Sequence, residues 1–119
     1  MRRKLRQSFA LYIFGPQSRW KPAITENAYQ RQLIQKLKRA FPEAMVLKND
    51  PNYIQGIPDL IIVCGPQWAA LEVKRSESSP ARPNQEYYID TMQEMSYARF
   101  IYPENEREIF DELKQLFCY

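Results

Sequence analysis

The chain has 119 residues, 45% of them hydrophobic and 26% charged, with 17 basic against 14 acidic side chains. That length predicts one domain able to bury a core without staples, and two cysteines, Cys64 and Cys118, supply no disulfide framework. Histidine is absent, which excludes His-ligated zinc, Ser-His-Asp and Cys-His triads and any histidine base. Any catalysis falls to carboxylates and lysine.

Residues 1–21 read as a basic arm with Arg2, Arg3, Lys4 and Arg6, an apolar run at 9–14 and a Gly15-Pro16 breaker. The run is far short of the ~20 residues a membrane span needs, and no small-residue cleavage pattern follows it. An intracellular, cytoplasmic protein without a membrane partner is expected. Residues 22–119 read as the single domain. A helix is predicted over 22–41, with Pro22 near its start and Tyr29, Leu33, Leu37 and Phe41 at helical spacing. Arg31, Lys36, Lys38 and Arg39 lie on the same helix, and Pro42 ends it.

A short strand over 44–48 and a polar loop over 49–55 come next. Two apolar, strand-like runs then lead to a Ser/Pro-rich loop at 75–83. A second helix is predicted over 84–97, with Tyr88, Met92 and Met95 toward the core. A strand over 99–102 stops at Pro103, and a closing helix over 104–117 points Ile109, Leu113 and Leu116 or Phe117 inward. The order is helix, three strands, helix, strand, helix. This is an α/β pattern.

The two apolar runs carry the informative residues. The first reads Gly56-Ile57-Pro58-Asp59-Leu60-Ile61-Ile62-Val63, and the second, after Gly65-Pro66-Gln67, reads Trp68-Ala69-Ala70-Leu71-Glu72-Val73-Lys74. Alternation puts Glu72 and Lys74 on one face, and Asp59 with Ile61 and Val63 on one face of its own strand. A two-residue turn at Gly65-Pro66 sets Asp59 opposite Glu72, and a four-residue turn sets it opposite Lys74. Proline is disfavoured at the third position of a type I turn, so the longer loop or a bulge is expected. An odd-length turn without a bulge would separate the charges.

Each piece has an ordinary explanation: an Asp capping a turn, and a Glu-x-Lys on a solvated face. Their flanks, however, read as interior strands, where charge is costly unless paired or bound to metal. Two carboxylates and an ammonium on adjacent strands suit a hard divalent cation beside a nucleophilic water, the chemistry of metal-dependent phosphodiester cleavage. Glu26 stands in the first helical turn, where a carboxylate also complements the helix dipole.

Gly56-Ile57-Pro58-Asp59-Leu60, Glu72-Val73-Lys74 and Pro83-Asn84-Gln85 together resemble the PD-(D/E)XK nuclease superfamily. Over residues 22–103 the likeness is to its VRR-NUC branch of small nucleases similar to Holliday-junction resolvases. The resemblance implies a restriction-endonuclease-like αβββαβ core with a mixed central sheet flanked by helices, the order already reached from periodicity. It implies Mg²⁺, with Mn²⁺ able to substitute, and no organic cofactor. Asp59, Glu72 and the Val73 carbonyl would be ligands, with Lys74 orienting the water or neutralising phosphoryl oxygens. Gln85 is carried over to a place near that water, and Glu26 to the completion of the acidic cluster, with Asp50 and Glu43 as alternatives. Arg2, Arg3, Lys4, Arg75 and Arg82 are the expected DNA contacts.

The activity so implied is a DNA endonuclease selective for branched or Holliday-junction DNA, acting as a homodimer and with phage among its sources. The alternatives are a sequence-indifferent nuclease or exonuclease, and a catalytically idle DNA-binding module of the same fold.

Overall fold

The computed structural model describes residues 24–119. The expected basic arm, with Arg2, Arg3, Lys4 and the run at 9–14, lies outside the described residues.

The first helix, α1, spans Glu26–Ala40. It starts later than its apolar spacing predicts because Thr25 caps it, accepting the Ala28 N–H at 3.1 Å. Tyr29, Leu33, Leu37 and Phe41 are buried, as their spacing requires. Four strands follow: β1 (Met45–Lys48), β2 (Leu60–Cys64), β3 (Gln67–Val73) and, after α2 (Pro83–Met95), β4 (Tyr97–Ile101). A 3₁₀ turn at Pro103–Asn105 leads into α3 (Glu106–Phe117).

The strands form one sheet in the order β1-β2-β3-β4. The first two pairings are antiparallel and the last is parallel, so α2 makes the crossover that a parallel pair needs. This is the mixed sheet with flanking helices that the sequence implies.

The β2–β3 turn corrects an expectation. Cys64 pairs directly with Gln67, so the turn has two residues, Gly65 and Pro66, rather than four. Gly65 has φ of +61°, and proline holds φ negative, which together match a type II′ hairpin turn. Proline is excluded from the third position of a type I turn but not of this one. The tight turn sets Leu60 opposite Leu71, so continuing the register sets Asp59 opposite Glu72.

The sheet has two unlike faces. Leu60, Ile62, Leu71, Val73 and Ile101 pack with Leu33, Leu37 and Phe41 of the α1 side and with Ile109, Leu113 and Phe117 of α3. The opposite face holds a smaller cluster of Ala70, Ala98 and Ile89 under α2. Glu106 ties α1 to α3, accepting the Tyr29 hydroxyl and pairing with Lys36, each at 2.8 Å.

Three boundary expectations fail for local reasons. Met95, expected toward the core, is 70% exposed, and Ile89 is the buried side chain of α2. Residues 96–97, expected at the end of that helix, leave it: the Ser96 N–H closes it on Met92, and Tyr97 already pairs with Ala69. The closing helix does not begin at residue 104, because Asn105 caps back on the Tyr102 N–H and Phe100 carbonyl and holds a 3₁₀ turn first.

Candidate metal centre and active site

The site lies where β2 begins and β3 ends. Pro58 is buried, and its carbonyl accepts from the Asn49 side chain at 2.6 Å. The Asn49 N–H in turn donates to the Asp59 carbonyl at 2.8 Å, so Asp59 is anchored on its backbone side. Its carboxylate reaches across to the neighbouring strand and accepts the Val73 N–H at 2.8 Å. In a strand the N–H and C=O of one residue point the same way, so the Val73 carbonyl also faces the Asp59 side.

Gly56 supplies the approach to this strand. Its φ of +94° is open to glycine, and an added Cβ would lie 2.4 Å from the Asn84 Cβ. The loop before β2 therefore docks against the first turn of α2 only because residue 56 has no side chain. That docking brings the Asp59 strand and the α2 residues into one site.

Glu72 is only 3% exposed and Lys74 8%, although both are charged residue types on the face where the core is small. Lys74 donates to Gln85 Oε1 at 2.8 Å and lies 4.0 Å from Glu72 Oε2. Gln85 Nε2 donates to Glu72 Oε2 at 2.9 Å, and Gln85 Oε1 also accepts the Arg82 N–H at 3.0 Å. Both ends of the Gln85 amide are thus engaged by protein. It joins Lys74 to Glu72, and its second Nε2 hydrogen is not used by these bonds.

Glu72 Oε1 is the exception to this satisfaction. It is buried with no donor group of the protein to meet it, an arrangement that is costly for a carboxyl unless it shares a proton with Asp59 or meets a cation. Carboxylate oxygens of Glu26, Asp59 and Glu72 all lie within 4.8 Å of one another. Glu26 reaches the cluster from the first turn of α1, as the family likeness implies. Asp50 and Glu43 are outside this group of three, although Asp50 lines a cavity with Asp59 and Glu72.

Burial disfavours charge on both central carboxyls. It raises Asp59 above the usual range, against the opposing pull of the Val73 N–H, a hydrogen bond from Glu72, Lys74 and Lys48. Glu72 is pushed up to about 8, first by burial and then by the Asp59 charge, with Lys74 opposing. Burial and mutual repulsion therefore favour a proton shared by the metal-free pair at neutral pH. A divalent cation would displace that proton and meet the unpartnered Oε1, so the donor set fits a hard, oxygen-seeking metal.

The carboxylates open into a cavity of about 530 Å³ lined by Lys74, Arg75, Arg82 and Gln85, with Ser76, Ser78 and Ser79 beside them. Arg75 and Arg82, the expected DNA contacts among the described residues, both line this cavity. Sequence reading missed the serines, taking their loop as punctuation; their place between two arginines, just after Lys74, was the available signal. It also missed Lys48, whose charge favours ionised Asp59 from the neighbouring strand, and which no motif marks. No helix among the described residues is long and apolar enough to cross a membrane.

No protein-family model matches the chain, and no curated protein matches it. Among solved structures it is similar to a "VRR_NUC domain protein" at 19% sequence identity, over 82% of this chain and 92% of that one, with a TM-score of 0.62. The backbone arrangement that brings Asp59, Glu72 and Lys74 together is thus similar in fold to that VRR_NUC domain protein.

Proposed function

We propose that this protein is a divalent-metal-dependent DNA nuclease that hydrolyses phosphodiester bonds within branched DNA. The observation that carries the reading is the buried, unpartnered Glu72 oxygen beside Asp59 and Glu26. Asp59, Glu72, Glu26 and the Val73 carbonyl would hold Mg²⁺, and Mn²⁺ would serve in its place. When bound, the metal supplies an activated water and neutralises charge growing on the phosphate.

The residues of the chain do the rest. Lys74, fixed by Gln85, places its ammonium beside the carboxylates, where it can meet a phosphoryl oxygen or orient a water. Gln85 keeps Glu72 Oε2 occupied and so leaves Oε1 toward the cation. Arg75 and Arg82, which line the same cavity, would supply positive charge for the DNA backbone.

Selectivity for four-way junctions rests on the family likeness and requires two sites for paired incisions. One chain supplies one acidic cluster among its described residues, so the protein would act as a homodimer. The arm carrying Arg2, Arg3 and Lys4 would add phosphate contacts.

Incubating the protein with duplex, single-stranded, flap and four-way-junction DNA tests the reading, in Mg²⁺, Mn²⁺ or EDTA. Metal-dependent cuts, fastest in the junction, are expected. No cleavage of any substrate with either metal would sink the proposal. Equal cleavage of all substrates would leave the sequence-indifferent nuclease.

A further inference from the structure

We propose that the loop joining β3 to α2 is a second phosphate subsite, binding the linkage next to the one being cut through the hydroxyls of Ser76, Ser78 and Ser79. The inference deepens the nuclease reading and rests on it.

Ser76 Oγ lies 3.1 Å from Ser78 Oγ and 3.2 Å from Ser79 Oγ. Three hydroxyls carry three donor protons, one each, and two mutual contacts use at most two of them. No other hydrogen bond from these oxygens is made among the described residues, and all three residues line the cavity that holds the carboxylates. At least one donor is left for an acceptor in the cavity. A phosphate oxygen is such an acceptor.

The charges flanking the serines have the right sign. Arg75 and Arg82 close the two ends of the loop, both line the same cavity, and neither makes an ion pair among the described residues. The one acid of the loop, Glu77, does not line this cavity: its N–H donates to Glu104 at 3.3 Å, and it lines a neighbouring cavity, which Ser76 and Ser79 also border, with Phe100 and Tyr102. The shared cavity therefore offers both carboxylates for a cation and arginines with hydroxyls for an anion.

At about 530 Å³ this cavity is larger than a single phosphate needs. DNA is a repeating anion, with charges about 3.4 Å apart in rise along each strand. With one phosphate held at the carboxylates and Lys74, a neighbouring phosphate of the same strand would meet the serines, which line the same cavity. Hydroxyl contacts to that neighbour would fix the register of the strand without reading its sequence.

The test measures binding of a short fluorescent single strand in EDTA, with one neutral methylphosphonate moved from linkage to linkage. Wild type is compared with S76A/S78A/S79A, and with S76A alone, which breaks both hydroxyl contacts, in case the triple variant folds poorly. At one linkage the substitution should weaken wild type about fivefold, the scale of one hydrogen bond of ~1 kcal/mol, and the variants much less. Identical profiles for wild type and folded variants would overturn the subsite. Cleavage in Mg²⁺ separates the two readings. Wild type that cuts DNA but shows no serine-dependent linkage sinks the subsite alone, whereas a serine-dependent linkage in a protein that cuts nothing sinks the nuclease reading alone.

Discussion

Val73 and Glu72 are neighbours on β3 and both are buried, yet they face opposite sides of the sheet and obey different physics. Val73 points into the apolar layer shared with α1 and α3, where Leu71, Leu60 and Leu113 are fully enclosed. Burial there is favourable in itself, at roughly 25 cal/mol per Å² of apolar area. Glu72 points to the other side, where only Ala70, Ala98 and Ile89 form a core and a carboxyl oxygen has no partner. Burial there is unfavourable and has to be offset by a proton or a cation. One face of the sheet supplies the stability that the other face draws on.

The largest separation between the faces should come from Asp59→Asn. It preserves shape and the acceptor for the Val73 N–H but removes charge, so cleavage should fall on the order of 10³-fold, the scale of losing a preorganised electrostatic group. Urea unfolding should barely change. If folded Asp59→Asn protein cuts like wild type, the two faces do not differ as described.

Leu71→Ala should do the reverse. It empties a fully buried position on the apolar face and should cost about 2–5 kcal/mol in chemical denaturation. Below its unfolding transition the variant should retain cleavage within severalfold of wild type. Loss of activity in fully folded protein would mean that the apolar face also sets the site's geometry.

Glu72 links the faces through pH. Its folded value, about 8, lies above the ordinary carboxyl value of 4.5, so the folded protein binds the proton more tightly than the unfolded chain. The stabilising contribution is complete below about 4.5 and is lost as pH rises through about 8. In EDTA, stability should therefore decline across that window, with a slope approaching 1.4 kcal/mol per pH unit, about one proton's worth. Glu72→Gln should flatten the slope, as should saturating Mn²⁺. A slope unchanged in folded Glu72→Gln protein would place the proton elsewhere.

Gln85→Ala should reduce cleavage about 10–100-fold, the scale seen when an outer partner of a metal ligand is lost. Lys74 and Glu72 then lose the amide that joins them. A rate unchanged in the folded variant would show that the joining is dispensable. Glu26→Gln should have the smallest effect, less than Asp59→Asn, because Glu26 is the exposed member of the cluster. A soaked Mn²⁺ structure with its carboxylate beyond water-bridged reach of the ion would remove it from the site.

The same contrast explains what could be read from the sequence. Periodicity shows the apolar face well: Tyr29, Leu33, Leu37 and Phe41 repeat at helical spacing because one stripe must be buried. The acidic pair was legible as charge among interior strand residues, and its resemblance to a known nuclease motif carried Glu26 with it. The turn at Gly65-Pro66 was misjudged because proline was weighed against a type I turn, while a φ-positive glycine admits type II′. Met95 was misplaced because methionine suits core and surface alike. The bonding of Gln85 and the turning of the serine loop toward the carboxylates depend on chain segments brought together by docking at Gly56, which no local pattern encodes.

The central claim is that the Glu72 and Asp59 carboxyls exchange a proton for a divalent cation. Calorimetric titration of Mn²⁺ at pH 7, repeated in buffers of different ionisation enthalpy, measures both events at once. One Mn²⁺-binding event accompanied by release of close to one proton is expected, with binding lost in Asp59→Asn and proton release lost in Glu72→Gln. Absence of Mn²⁺ binding, or binding and proton release unaltered in both folded variants, would contradict it.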